Sequence, residues 1–153
     1  MVADNERSPA RQEASPLDVG LKVEKHPNWV QVETACRRVA ENLGPYLLEL
    51  TYERALLIEL NFVGFSTKEQ YRVRGAYKGR SMDTGQDIDI LVNGSLILEL
   101  KAVETVTLAY YGQLRTYMMF AHIEYGLLIN FDVPTVNDLV FTWVHCDPEE
   151  FIY

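Results

Sequence analysis

The stretch DIDILVNGSLILELKA, residues 87–102, decides the architecture: it reads as two short strands joined near Asn93-Gly94, a pair that favours tight hairpin turns. Side chains alternate faces along a strand. Ile88, Ile90 and Val92 on the first arm, and Leu96, Leu98, Leu100 and Ala102 on the second, form two apolar sets that have to share a face. A two-residue loop would put the apolar set of one arm beside the polar set of the other. A three-residue loop, Val92-Asn93-Gly94, resolves this. It pairs Leu91 with Ser95, sets Asp89 against Ile97 and Asp87 against Glu99, and brings the odd-numbered residues to one side. Carboxylates then converge beside the ammonium of Lys101, and mutual repulsion raises their proton affinity unless a cation sits among them. Asp89 and Glu99 suit a hard divalent ion such as Mg²⁺, which prefers oxygen ligands and keeps several waters. The alternative is a cross-strand ion-pair ladder on a solvated face, and spacing leaves both open.

Outward from the hairpin, NWVQVETACRRVAENLG reads as a helix capped by Asn28 and stopped by Gly44. Pro45 suits the first turn of a second helix, YLLELTYERALLIELNF, which ends at Gly64. That helix is apolar on more than one side, so deep burial is expected and Glu49 needs a reason to be there. QYRVRGAYKGR reads as a strand with a bend at Gly75 or Gly79, LAYYGQLRTYMMFAH as a helix, and YGLLINF and DLVFTWVH as strands, the first buried. The order helix, helix, three strands, helix, two strands gives a mixed α/β domain with helices packed on a central sheet.

The chain has 153 residues, 48% of them hydrophobic, enough for one domain with an ordinary core. Residues 1–25 are polar and are expected to form a flexible tail, leaving 26–153 as the domain. The N-terminus lacks the apolar stretch of a secretory signal, and no run is long enough to span a bilayer, so no membrane association is expected. Two distant cysteines, Cys36 and Cys146, suggest neither a disulfide framework nor a cysteine-rich zinc site; an intracellular, cytoplasmic setting is expected. His26, His122 and His145 show no metal-ligand spacing. A net charge of −8 argues against coating nucleic acid through bulk charge. It leaves room for a local basic wall, and Arg72, Arg74, Lys78 and Arg80 form one; the alternative is a solvated edge strand guarded by charge.

Asp89 followed by Glu99-Leu100-Lys101 resembles the PD-(D/E)XK nuclease signature, with Ile88 in place of its Pro. The surrounding GPYLLELTYERAL, GQLRTYM and GLLINF, in this order over about residues 28–144, look like the GxxExxY family of that superfamily. Its Glu and Tyr are Glu49 and Tyr52 here, while Tyr46 stands where the motif has Gly. The resemblance implies a restriction-endonuclease-like core and metal-dependent phosphodiester hydrolysis. It implies Asp89, Glu99 and Glu49 as ligands of Mg²⁺ (or Mn²⁺), with the Leu100 carbonyl also facing the ion. Lys101 would orient the attacking water, and Gln113 would line the site. DNA is favoured over RNA as the nucleic-acid partner, and the basic residues of 72–80 would contact it.

Each assignment has a plainer counterpart. Glu49 could satisfy a backbone group, Gln113 could be a half-buried spacer, and Tyr52 suits the core. For the whole chain, the alternative to a nuclease is a catalytically silent module that binds nucleic acid or protein on the same fold. The C-terminal FIY, after Pro148-Glu149-Glu150, is expected either to dock on the core or to form a homodimer.

Overall fold

The computed structural model describes residues 14–152. Its elements are α1 (Trp29–Leu43), α2 (Glu49–Phe62), β1 (Thr67–Tyr77), β2 (Arg80–Val92), β3 (Leu96–Lys101), α3 (Leu108–Ala121), β4 (Tyr125–Asn130) and β5 (Phe141–His145), in the expected order. The strands form one sheet in the order β1-β2-β3-β4-β5. The β3–β4 pair is parallel, bridged by α3, and the other neighbours are antiparallel. β3, the central strand, is buried from Leu96 to Leu100, as its nearly continuous apolar run requires.

Two cores lie on opposite faces of this sheet. On one, Val32, Cys36 and Val39 of α1 and Tyr52, Leu56 and Leu60 of α2 pack on Ile90, Val92, Leu98, Leu100, Ile129 and Trp143. On the other, Tyr111, Leu114, Tyr117 and Met118 of α3 pack on Ile88, Leu91, Ile97, Leu128 and Val144. Cys36 and Cys146 are buried in different layers, which keeps the two thiols apart. This is a mixed sheet flanked by helices, a restriction-endonuclease-like architecture. Among the described residues no helix is long and apolar enough to cross a membrane.

Several expectations need correction. The hairpin loop has three residues, but they are Asn93, Gly94 and Ser95, so Val92 pairs with Leu96, Leu91 with Ile97 and Ile90 with Leu98. The register is two residues from the expected one because Asn93 is clamped to Ser66. Its N–H donates to the Ser66 carbonyl and its side-chain oxygen accepts from the Ser66 N–H, each at 2.8 Å. Asn93 and Gly94 both take the left-handed conformation, at φ 51° and 65°. Ile88 does not share a face with Ile90 and Val92; it packs in the α3 layer, so the alternation breaks at Asp89.

The second helix starts at Glu49 rather than at Tyr46. Gly44 sits at φ 71°, ψ −176°, a conformation essentially confined to glycine, and Tyr46 at φ 67°, so neither continues a helix. α2 is also less buried than its composition suggests: Leu50, Ile58 and Phe62 are exposed. At the N-terminus, residues 1–13 of the expected tail lie outside the described residues. The remainder is not loose: Pro16–Val19 form a 3₁₀ turn, Leu21 is buried in the α3 layer, and Lys22 bridges to His145 of β5. Pro16 and Leu21 supply apolar surface that averaging over a polar segment conceals. At the other end Phe151 is buried and its ring stacks on His122, so the C-terminal segment docks on its own chain through Ile152. Tyr153, the last residue of that segment, lies outside the described residues.

Candidate active site

The site forms where β2 and β3 part. The last paired residues are Ile90 and Leu98. At the next position side chains replace the backbone ladder: the Asp89 N–H donates to Glu99 Oε1 at 3.2 Å, and the Leu100 N–H donates to Asp89 Oδ2 at 2.9 Å. Asp89 therefore lies across from Glu99, not from Ile97. Glu99 is 3% exposed and Asp89 half-buried; each fixes the backbone of the other strand and keeps one carboxylate oxygen out of these bonds.

Two further carboxylates come from α2. Glu49, in its first turn, lies close enough to Asp89, Lys101 and the Ala102 backbone to feel all three. The anchoring of this turn comes from Tyr52. Its hydroxyl donates to the Gly44 carbonyl at 2.7 Å and accepts the Leu47 N–H at 3.1 Å, while its ring stacks on Phe131. Glu53, one helical turn beyond Glu49 and 3% exposed, accepts from Gln70 Nε2 at 2.7 Å. Gln70 is held at φ 49°, where a side chain other than Gly is uncommon, and its amide also lies 3.5 Å from Asp89 Oδ1. On the opposite flank the Lys101 ammonium sits 4.6 Å from the centre of the Tyr110 ring.

Burial and mutual repulsion set the electrostatics. Desolvation, then the charge of Asp89, pushes Glu99 well above the ordinary carboxylate range, against the pull of the Asp89 N–H and of Lys101. The same pair of causes raises Glu49 and takes Glu53 to about 7. Asp89 is raised by burial, against the Leu100 N–H and Lys101. The Tyr117 hydroxyl of α3 is raised by burial and by the charges of Glu99, Asp89 and Asp87.

Of the expected residues, Asp89, Glu99, Lys101 and Glu49 are brought together. Gln113 is half-buried on α3, one turn before Tyr117 and on the same side of the helix, but it joins none of the hydrogen bonds above. The basic four stand apart on the β1–β2 hairpin. Arg72 is paired with Asp87 at 2.7 Å and with Asp83 at 3.4 Å, while Arg74, Lys78 and Arg80 are exposed towards its tip. β1 is the sheet edge, which is what the charge-guarded reading anticipated. Glu53 and Gln70 were not anticipated. Glu53 had a signal, since it falls four residues after Glu49 on an apolar helix; the backbone conformation that aims Gln70 has none.

Over residues 28–140 the sequence matches the family model of the PD-(D/E)XK nuclease superfamily. The chain belongs to that superfamily. No curated protein and no solved structure matches it. PD-(D/E)XK nucleases generally use divalent metal ions, and the donors here suit one: Asp89, Glu99 and Glu49 surround one ammonium, Lys101, and Glu53 adds a further acid beside Asp89, an excess of negative charge that a cation relieves. Among the described residues, no three His, Cys, Asp or Glu side chains are gathered tightly enough to cage an ion. Mg²⁺ is held by one or two carboxylates plus waters and substrate phosphates, and does not need such a cage. A cavity of about 550 Å³ borders Thr107, Tyr111, Leu128, Asn130 and Thr142, none of them one of these acids; Asn130 stands beside Lys101 in the β3–β4 ladder.

Proposed function

We propose that the protein is a divalent-metal-dependent nuclease of the GxxExxY group that hydrolyses phosphodiester bonds, with DNA favoured over RNA, in an intracellular setting. The observation that carries this reading is the junction of Asp89 and Glu99, each bonded to the other strand's backbone, with Lys101 and Glu49 beside them. Asp89 and Glu99 hold Mg²⁺ or Mn²⁺, and Glu49 completes the set from the helix side. The bound ion supplies a Lewis acid that lowers the pKa of its water and steadies phosphate charge. Lys101 orients the attacking water and offsets charge on the pentacoordinate phosphorus. Gln113 lines the approach from α3, and Arg74, Lys78 and Arg80 contact the phosphate backbone outside the site.

The test is cleavage of duplex DNA, single-stranded DNA and RNA with Mg²⁺ or Mn²⁺, beside Lys101→Ala. Cleavage that needs the metal and falls at least ~100-fold in the variant is expected. Calorimetry with Mn²⁺ checks the ion separately: binding to the wild type and its loss in Glu99→Ala are expected. A second reading, a silent binding module, draws on the net charge of −8 and on the engagement of Asp89 Oδ2 and Glu99 Oε1 by backbone N–H groups. Nucleic-acid retention without cleavage under any metal would establish it instead.

A further inference from the structure

We infer that the outer face of α2 is the contact surface of a homodimer. Along α2, Leu50, Arg54, Ile58 and Phe62 recur every four residues and form a single ridge pointing away from the sheet. Ile58 is 59% exposed and Phe62 81%. The apolar surface continues past both ends, through Tyr46 and Leu48 (74% and 79% exposed) and through Val63. Together with Leu47, these side chains expose on the order of 700 Å² of apolar surface, above the ~300–600 Å² of a typical largest patch on a monomer. Covered in full, it would supply most of the ~800 Å² that each partner gives to a standard interface.

The ridge favours a second copy as the occupant. An antiparallel pairing about a two-fold axis between Arg54 and Ile58 sets Leu50 of one chain against Phe62 of the other at both ends. Arg54 then lies against Ile58 of the other chain. The guanidinium of Arg54 is drawn to Glu69 of β1, at 2.5 Å, so its aliphatic stem rather than its charge faces the partner. Rows spaced by four residues interlock at an angle of about −50° between helices. A polyanion is a poor occupant, because the ridge offers no unpaired cation to its phosphates. Glu49 and Glu53 project from the other side of α2, towards the sheet, so pairing here leaves both candidate active sites open.

The experiment is sedimentation velocity and light scattering on the full chain from 5 to ~200 µM, set by the micromolar-to-nanomolar range of such interfaces. Twice the 17.6 kDa chain mass is expected for the wild type, and the single-chain mass for Ile58→Glu/Phe62→Glu. The milder Ile58→Gln/Phe62→Gln is expected to weaken association at least ~10-fold and guards against misfolding; circular dichroism checks both. A wild type that stays at single-chain mass, or a dimer that survives both double variants, overturns the inference. A single-chain wild type that loses nucleic-acid retention in these variants overturns it too, and gives the face to the substrate. None of these outcomes depends on catalysis.

Discussion

Glu53 and Asp89 occupy a corner that water reaches poorly, and their carboxyl groups pull the protein towards lower pH. Both titrate above their ordinary values, Glu53 at about 7, so the folded chain binds more protons than the unfolded chain between about pH 4.5 and 7. The slope of unfolding free energy with pH follows the protons bound by the unfolded state minus those bound by the folded state, which is negative here. The metal-free protein is therefore expected to lose stability as pH rises through this window. Chemical denaturation at pH 5.5 and 8 should show the acids at this site removing on the order of 1–2 kcal/mol, after discounting for partial solvation. In Glu53→Gln, which keeps a partner for Gln70, that slope should flatten. Mn²⁺ should restore the loss at pH 8 in the wild type, because a ligand that binds only the folded state stabilises it. Tyr46 carries a different strain. It sits at φ 67° with its side chain in solvent, where a residue with a Cβ is disfavoured by about 1–2 kcal/mol. This is the position where the GxxExxY motif, which the sequence resembles here, has Gly. Tyr46→Gly is expected to raise the stability of the isolated chain by up to about 1 kcal/mol, net of the added freedom of the unfolded state; thermal denaturation at concentrations below any self-association reads it.

The loop from Gly44 to Leu48 and the first turn of α2 act as one unit, closed by the Tyr52 hydroxyl. Removing that hydroxyl in Tyr52→Phe leaves the Gly44 carbonyl and the Leu47 N–H to water, at a cost of about 1 kcal/mol. The ring still stacks on Phe131, so the fold is expected to persist while Glu49 loses its fixed position. Activity should fall by more than the lost stability explains, and addition of Mn²⁺ should recover part of it. The sequence is informative about such units to different degrees. The order of elements was legible because each has its own period and its own stop signals, Gly44 and Gly64 among them. Asp89, Glu99 and Lys101 were legible because polar groups on strands bound for the core are conspicuous. The start of α2 was not, since Pro45 also fits a first helical turn and the competing bond from Tyr52 is tertiary. Nor was the register of the hairpin: the number of loop residues follows from keeping like faces together, but their position depends on Ser66, twenty-seven residues before Asn93. Gln70 stayed hidden for the same reason, because its aim comes from a left-handed backbone inside an edge strand.

An acidic chain that acts on a polyanion has to separate its attraction from its net charge. Here three exposed cations that join no ion pair among the described residues stand together at the tip of one hairpin, where Lys78 and Gly79 make a tight left-handed turn and carry Arg74 and Arg80 with them away from the carboxylates. Arg72, nearer the site, is neutralised by Asp87 and Asp83. Each phosphate that a cation neutralises adds about −0.9 to the slope of log affinity against log salt on duplex DNA. With these three cations meeting phosphates the expected slope is shallow, near −3, and binding should be weak at physiological ionic strength. Replacing Arg74, Lys78 and Arg80 together by Ala should bring the slope close to zero and reduce affinity evenly across sequences. Replacing Arg72 alone should change it little, because its charge is already balanced within the fold. Fluorescence anisotropy with a labelled duplex in Ca²⁺, between 25 and 200 mM salt, measures both. A slope unchanged in the triple variant would mean that the phosphates are met elsewhere, and that the hairpin charge serves to keep the edge strand β1 from pairing with another chain.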